Sequence, residues 1–266
     1  MARTKRWTLG KVKHGMWEVK LSSWKWLHDY VHQQMLDYEH YIWRGQRNDN
    51  WLLEPSFERA TRGKSINKKE ELLNGHLKSF KYAVRGRRGE NPPHIEYENE
   101  WWSLGQHHSL ATPLLDWTSS PFVGLYFAFH KNAQPQTRYR ALFAINPDSV
   151  EHIFKQKLSE MEELDEDWFS YKCEFVRPLA DDNPRLVNQG GLFSRFPIGI
   201  DIEEWMKLHF EEMYRYGVLL KILIPNTGRN ECLKTLNRMN INHSTLFPDI
   251  YGSSEFCNTK LRINRY

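Results

Sequence analysis

The sequence predicts a mixed α+β fold, a single domain in which helices flank a β-sheet, and three observations support this prediction. Two apolar runs, YRALFAI at 139–145 and YGVLLKILI at 216–224, are each followed by a proline-containing turn and are typical of buried strands. Other segments carry apolar residues at helical spacing. The glycine-rich patterns GxGxxG and GxxxxGK[ST] are absent from the sequence, so nothing in it favours a doubly wound nucleotide-binding fold.

Local patterns predict the individual elements in chain order. The clearest helix start is Ser120-Pro121, because serine is favoured at the N-cap and proline in the first turn, and apolar residues then recur at i, i+3, i+4 and i+7 from Phe122. A short strand begins at Tyr41 and is cut by Gly45. The other predicted helices run from Ser22 or Ser23 to about Glu39, over 67–84 up to the loop 85–89, and over about 96–108, 201–213 and 229–239.

Length and composition describe an ordinary folded protein. With 266 residues, of which 40% are hydrophobic and 26% charged, the chain can bury a core without disulfide or metal staples. Three cysteines in no CxxC spacing, and a start without the apolar segment of a secretory signal, predict reduced thiols in the cytoplasm and no structural zinc. No stretch approaches the 18 apolar residues of a membrane span, so we expect no membrane partner.

Basic and aromatic residues are concentrated near the amino terminus. Residues 1–90 contain 19 Lys and Arg against 10 Asp and Glu, although the whole chain carries a net charge of only +4, and six of the 11 tryptophans lie within the first 51 residues. This region is either an ordinary solvated face or a surface that faces a polyanion. On the second interpretation Arg85, Arg87 and Arg88 in the loop RGRRG contact phosphates, and the tryptophans at 7, 17, 24 and 26 form an acceptor or partner surface.

An arginine, Arg44, lies at the end of the short strand that begins at Tyr41. Its stem is expected to pack against the strand while its guanidinium faces a cleft, where it needs an anionic partner. That partner is either a carboxylate of the protein or a bound phosphate or pyrophosphate, which Gly45 would let approach the backbone. Arg44 is therefore a candidate binding residue, together with Gln46 beside it.

The most informative stretch is 104–129, LGQHHSLATPLLDWTSSPFVGLYFAF. It places an amide, two histidines, an aspartate and three hydroxyl residues just before the predicted helix, whose N-terminus attracts anions. One interpretation is that Asp116, Thr118 and Ser119 only cap and brace a turn. The other is that they form a small polar floor in a cleft.

Several motifs in one order resemble the FRG domain family, which is named for an aromatic-Arg-Gly motif. They are WRGQ at 43–46, LLEPSFER at 52–59, LGQHHSLATPLLDWTSSPFVGLYFA at 104–128, RLVNQGGLFSRFP at 185–197 and TLFPDIYG at 245–252. The resemblance covers roughly 41–256. It implies an FRG domain over 41–266, preceded by a basic, Trp-rich helical extension over 1–40.

The same motifs bear a remoter resemblance to Arg-Ser-Glu class ADP-ribosyltransferases. Those enzymes begin with a strand ending in aromatic-Arg-Gly and continue with a Ser-Thr-Ser-like strand that runs into a helix; Arg44-Gly45 and 117–120 look like these two elements. The resemblance implies a split central sheet and NAD as a substrate held in the cleft. It also implies that the arginine grips the phosphates or the nicotinamide ribose, that a hydroxyl braces the nicotinamide pocket, and that a carboxylate on a third strand stabilises the oxocarbenium-like ribose.

The third element of that resemblance is an amide in this sequence. Gln189 stands at the expected strand end, so the acid would come from Asp116 or Asp249, ranked above Glu255. The catalytic residues implied are Arg44, Asp116, Thr118, Gln189 and Asp249. The cofactor-binding residues implied are Arg44, Gly45, Gln46, His107, Trp117, Thr118 and Ser119, and no metal is expected.

The function expected from these resemblances is an NAD-dependent ADP-ribosyltransferase in the cytoplasm. Related domains imply a bacterial toxin or phage-defence effector that modifies RNA or DNA, or as second choice a protein, and that has a neutralising antitoxin protein as partner. One alternative is a non-catalytic nucleic-acid-binding or scaffold module, in which Arg44 pairs with Asp116 and the hydroxyls only cap the helix. Another is a metal-independent nuclease or NAD-consuming hydrolase that uses the same cleft.

Overall fold

An eight-stranded mixed sheet forms the centre of the computed structural model, which describes residues 5–132, 136–160, 172–178, 184–212, 214 and 216–266. Within these residues the strand order is β1-β2-β8-β5-β3-β4-β7-β6, with β2 and β8 parallel and every other pair antiparallel. The prediction of a mixed α+β fold is confirmed. The strands are β1 Trp7–Leu9, β2 Met16–Leu21, β3 Ile42–Gln46, β4 Leu115–Thr118, β5 Tyr139–Ile145, β6 Glu174–Val176, β7 Gly191–Arg195 and β8 Leu219–Pro225.

Helices flank the sheet and follow most of the predicted segments. The helix predicted over 67–84 spans 66–83, and the one predicted over 96–108 spans 98–107. The helix predicted from Ser22 or Ser23 to about Glu39 is shorter at both ends: a 3₁₀ turn at Trp24–Trp26 comes first, and the helix ends at Gln34. In chain order the helices are α1 Leu27–Gln34, α2 Ser56–Ala60, α3 Ile66–Ala83, α4 Glu98–His107, α5 Pro121–Phe129, α6 Pro147–Glu160, α7 Pro184–Gln189, α8 Ile202–His209, α9 Arg229–Arg238, α10 His243–Leu246 and α11 Ile250–Arg262.

The paired segment between neighbouring strands is shortest between β3 and β4. β3 pairs with β5 over five residues and β4 pairs with β7 over four, but β3 and β4 share one register pair, Trp43 opposite Thr118. No other register pair joins these two strands. We call this junction the fork, defined by β3 and β4.

The core lies on both faces of the sheet, as the alternation of side chains along a strand requires. In β5, Leu142 and Ala144 belong to the cluster packed with α1, α5 and α9, whereas Phe143 and Ile145 belong to the cluster packed with α6 and α8. A third cluster holds α2, α3 and α4 against β7 through Phe193.

Glycines bring β3 into direct contact with α5. A Cβ atom at Gly45 would lie 1.9 Å from the Gly124 oxygen and 2.5 Å from the Ala128 nitrogen. A Cβ atom at Gly124 would in turn lie 2.7 Å from Leu142 Cδ1. The strand that carries Arg44 is therefore fixed directly against the helix that begins at Ser120.

The amino-terminal segment contains strands as well as the expected helix. β1 and β2 extend the sheet beside β8, so the segment 1–40 and the rest of the chain share one sheet. Trp7 packs edge-on against Tyr30 at 5.5 Å between ring centroids, and Trp17 and Trp24 also pack on the core. The tryptophans at 7, 17 and 24 thus contribute to packing, while the partner surface expected there and the domain boundary at residue 40 stay predictions.

The acidic segment EMEELDED at 160–167 lies outside the described residues apart from Glu160, which ends α6. Among the residues that the structure describes, no helix is both long and apolar enough to span a lipid bilayer.

Candidate functional site

Arg44 spans the two strands at the mouth of the fork. Its Nη1 donates to the backbone oxygen of Asp116 at 2.8 Å and lies 3.6 Å from Asp116 Oδ2. The Arg44 side chain is 19% exposed. The sequence-based expectation that this guanidinium needs an acceptor is met by β4, and the backbone carbonyl is the closer of its two partners.

The Arg44 guanidinium keeps unused capacity to bind an anion. Its Nε is buried and has no hydrogen-bond partner among the described residues. Burial lowers the pKa of Arg44, Asp116 raises it, and the nearby Arg59 lowers it further. The fork thus holds a desolvated cation next to a second cation, and one carboxylate offsets their charge only in part, so a bound anion would be stabilised here.

Asp116 is the carboxylate at the fork, and its side chain is 58% exposed. Gln106, from the last turn of α4, donates to Asp116 Oδ2 from its Nε2 at 2.9 Å. The other end of that amide accepts a hydrogen bond from the Thr112 hydroxyl, so its orientation is fixed. Asp116 is therefore positioned by an amide and faces solvent, with Arg44 as its nearest cation.

The hydroxyl residues after Asp116 join β4 to the start of β7. Thr118 Oγ1 donates to the backbone oxygen of Gln189 at 2.5 Å, and the Ser119 nitrogen donates to the Gly190 oxygen at 2.9 Å. Thr118 is 3% exposed, whereas Ser119 is exposed. Ser120 caps α5 by accepting a hydrogen bond from the Val123 nitrogen, as the sequence predicts. Ser119 is thus the hydroxyl residue of this stretch that faces solvent.

The amide and the second carboxylate of the predicted site have structural partners. Gln189 donates from Nε2 to the Leu246 oxygen at 2.9 Å. Asp249 caps α11 by accepting from the Gly252 nitrogen at 2.8 Å and also accepts from Arg185 Nε at 2.7 Å. The Gly252 hydrogen bond, followed by Arg185 and His107, lowers the pKa of Asp249. The negative charge of Asp249 is thus already neutralised within the fold.

Three residues assigned to cofactor binding face the interior instead. Trp117 is 3% exposed and donates from Nε1 to the Ser194 hydroxyl at 2.8 Å on the opposite face of β4 from Asp116. Gln46 is buried and donates to the Leu52 oxygen. Gly45 packs against the backbone of α5, and this helix occupies the space through which a phosphate was expected to approach.

The arginines of the loop RGRRG lie at the other end of α4, away from the fork. Arg88 donates to the Pro93 oxygen at 2.6 Å and sits 5.1 Å from the centre of the Trp101 ring. Trp101 is five residues before Gln106, which corresponds to about 7.5 Å along a helix axis. The predicted phosphate contacts of Arg85, Arg87 and Arg88 therefore belong to a neighbouring surface rather than to the fork.

Sequence reasoning assigned no role to three residues that shape this site. Gln106 positions Asp116, Arg185 neutralises Asp249, and Arg59 adds positive charge near Arg44. Each lies within one of the motifs that resemble the FRG domain, and this membership is the sequence feature that could have identified them. Within the described residues, no three His, Cys, Asp or Glu side chains gather closely enough to hold a metal ion.

The fork coincides with the region of similarity to known proteins. A family model described as FRG domain matches residues 39–137, which include β3, α4, β4 and α5. The resemblance to the FRG domain is thereby confirmed over that segment. No curated protein and no solved structure matches the chain significantly.

Proposed function

We propose that the fork binds NAD and that the chain is an ADP-ribosyltransferase with a nucleic acid as acceptor. The observation that carries this proposal is the placement of Arg44 and Asp116. They lie on neighbouring strands beside the single register pair of Trp43 with Thr118, and the carboxylate of Asp116 is 3.6 Å from the guanidinium. This reaction requires a guanidinium that can bind phosphate, a strand that carries hydroxyl residues, and a carboxylate close to both.

The roles follow from the chemistry of each side chain. Arg44 and Arg59 would hold the pyrophosphate of NAD, since guanidinium groups bind phosphate oxygens in pairs. The bond between ribose C1′ and nicotinamide breaks, and its electron pair leaves with the neutral nicotinamide. A nucleophilic nitrogen or oxygen of the acceptor forms the new bond to C1′ and releases its proton to solvent. Asp116 would stabilise the positive charge that develops on the ribose between these two events.

Asp116 is preferred to the other candidates for the acidic role. Asp249 is tied to Arg185 and to the first turn of α11, and Gln189 has no charge and donates its amide hydrogen to Leu246. Asp116, by contrast, is exposed and is held by one amide. The carboxylate is thus supplied from the second of the two matching strands.

The test is transfer of label from NAD by the folded protein. Wild type, Arg44→Ala, Asp116→Asn and the distant surface variant Arg238→Ala are incubated with labelled NAD and RNA, DNA or cell lysate. We expect label on a nucleic acid and released nicotinamide with wild type and Arg238→Ala. Asp116→Asn keeps the hydrogen bond from Gln106 and should reduce the rate by about 10²–10³-fold. Absence of both label and nicotinamide with folded wild type would refute the proposal.

A second candidate function is a binding module without catalysis. It is favoured by the internal use of several polar groups, because Arg44 donates to Asp116 and Thr118 donates to Gln189. In that case the protein binds nucleic acid while NAD stays intact and unbound, as equilibrium dialysis with labelled NAD would reveal.

A further inference from the structure

A basic and aromatic surface covers the end of α3, the loop that follows it and the first turns of α4. Lys78, Lys81, Tyr82 and Arg85 recur at i, i+3, i+4 and i+7, so they share one side of α3 and its extension. Arg87 and Arg88 follow in the loop, and Trp101 faces them from α4. We call this the α3 surface, defined by Lys78, Lys81, Tyr82, Arg85, Arg87, Arg88 and Trp101.

No carboxylate of the described residues forms an ion pair with the cations of the α3 surface. None of its five cations lies within 4.0 Å of a carboxylate in the described part of the chain. The nearby Glu98 is already paired, since Arg195 Nη1 lies 2.9 Å from it. Uncompensated cations on one side of a helix create a positive potential that attracts a polyanion.

Aromatic rings arrange these cations. Lys81 Nζ lies 5.3 Å and the Arg88 guanidinium carbon 5.1 Å from the centre of the Trp101 ring, so one indole holds two charges near each other. Arg85 lies 4.9 Å from the ring centre of Tyr82, whose side chain is 56% exposed. An exposed ring between cations that contact phosphates is a stacking platform for an unpaired base.

We propose that the α3 surface is the docking site for single-stranded nucleic acid. Cations alone would bind any polyanion, but the exposed ring of Tyr82 adds a contact that requires a base free of a duplex stack. As a statement about the acceptor of the transferase, this inference rests on the proposed function. Trp101 of the docking site and Gln106 of the fork belong to the same helix, α4, and lie about 7.5 Å apart along its axis.

The test measures binding in the absence of NAD, so its outcome is independent of catalysis. Fluorescence anisotropy reports binding of labelled 12-nucleotide RNA and DNA single strands, a duplex of the same sequence and an abasic 12-mer. The triple variant Arg85→Ala, Arg87→Ala, Arg88→Ala is compared with a control of equal charge change, Lys11→Ala, Lys207→Ala, Arg238→Ala. The control residues are exposed and likewise have no carboxylate partner among the described residues.

We expect the wild type to prefer the base-bearing single strand, and the triple variant to lose at least about ten-fold in affinity. The slope of log K against log salt concentration should be shallower by about 2 for the triple variant, because each of the three lost phosphate contacts contributes about 0.7 to that slope. Tyr82→Ala should weaken binding of the base-bearing strand by about five-fold or more while leaving the abasic strand unaffected. The double variant Arg85→Ala, Arg87→Ala spares the contacts of Arg88 with Pro93 and Trp101, and it should lose affinity as well if the triple variant unfolds.

Three results would overturn the inference. The first is wild-type protein that binds none of the single strands. The second is equal loss of affinity in the control and triple variants, which would mean that net charge alone matters. The third is equal affinity for the abasic and base-bearing strands, which would identify a site for polyanions in general. Loss of NAD turnover with intact binding would instead refute the proposed function and leave the docking site standing.

Discussion

Gly45→Ala tests whether the strand that carries Arg44 lies directly against α5. The added Cβ would stand 1.9 Å from the Gly124 oxygen, whereas ordinary contacts begin at 3.4 Å, so strand and helix must separate by the difference. Both close neighbours are backbone atoms and cannot rotate away. Overpacking of this kind costs typically 1–3 kcal/mol, and we expect the upper end, about 3 kcal/mol. At roughly 2–4 °C per kcal/mol for a chain of this size, Tm should fall by about 6–12 °C.

Thermal unfolding followed by circular dichroism measures this shift, and Gly75→Ala is the matched control. Gly75 lies in the middle of α3 and has no atom within 4 Å of the position of an added Cβ. Alanine there should raise stability by about 0.5–1 kcal/mol, because it is the better helix former. A Gly45→Ala protein that melts within about 2 °C of wild type would refute the close packing of β3 on α5.

Two further predictions concern titratable groups outside the fork. Burial lowers the pKa of His130 to about 4. Between pH 6.5 and 4 the unfolded chain therefore binds a proton at His130 that the folded chain does not bind. The stability that neutral His130 contributes is complete above pH 6.5 and falls by about 1.4 kcal/mol per pH unit below it. Urea unfolding of wild type and His130→Gln from pH 7 to pH 4 should show a smaller loss in the variant, and equal slopes would contradict the prediction. Burial raises the pKa of Cys173 and Cys232 to about 12, whereas Cys257 is exposed, so a thiol reagent at pH 8 should label native protein once and Cys257→Ser not at all on the same timescale. Rapid labelling of two or three thiols in native wild type would count against it.

The parts of the fold that sequence reasoning predicted are those determined locally. Ser120-Pro121 begins α5 because a hydroxyl cap and a proline act within one turn, and β5 follows from an apolar run that is buried on both faces. β1 and β7 are three and five residues long, and their place depends on partners far along the chain. No local pattern in these two segments predicts such pairing.

The candidate site shows the same division. Arg44 and Asp116 do come together, whereas Thr118 is paired with Trp43 and bonds to Gln189, and Trp117 faces away from Asp116. Alternation along β4 places Trp117 on the opposite face, so the period of two could have separated these residues beforehand. The role of Gly45 could not be predicted, because the helix that fills its missing side chain begins 76 residues later.

The single register pair between β3 and β4 divides the backbone hydrogen bonding of the sheet into two plates. One plate comprises β1, β2, β8, β5 and β3, and the other comprises β4, β7 and β6. Between the plates the backbone contributes about one or two hydrogen bonds, each worth roughly 1 kcal/mol, where other neighbouring strands share a ladder of four or five residue pairs. The plates are therefore joined mainly by side-chain packing, through α5 against β3 and through the apolar cluster that holds Trp117 and Leu192 with Phe143.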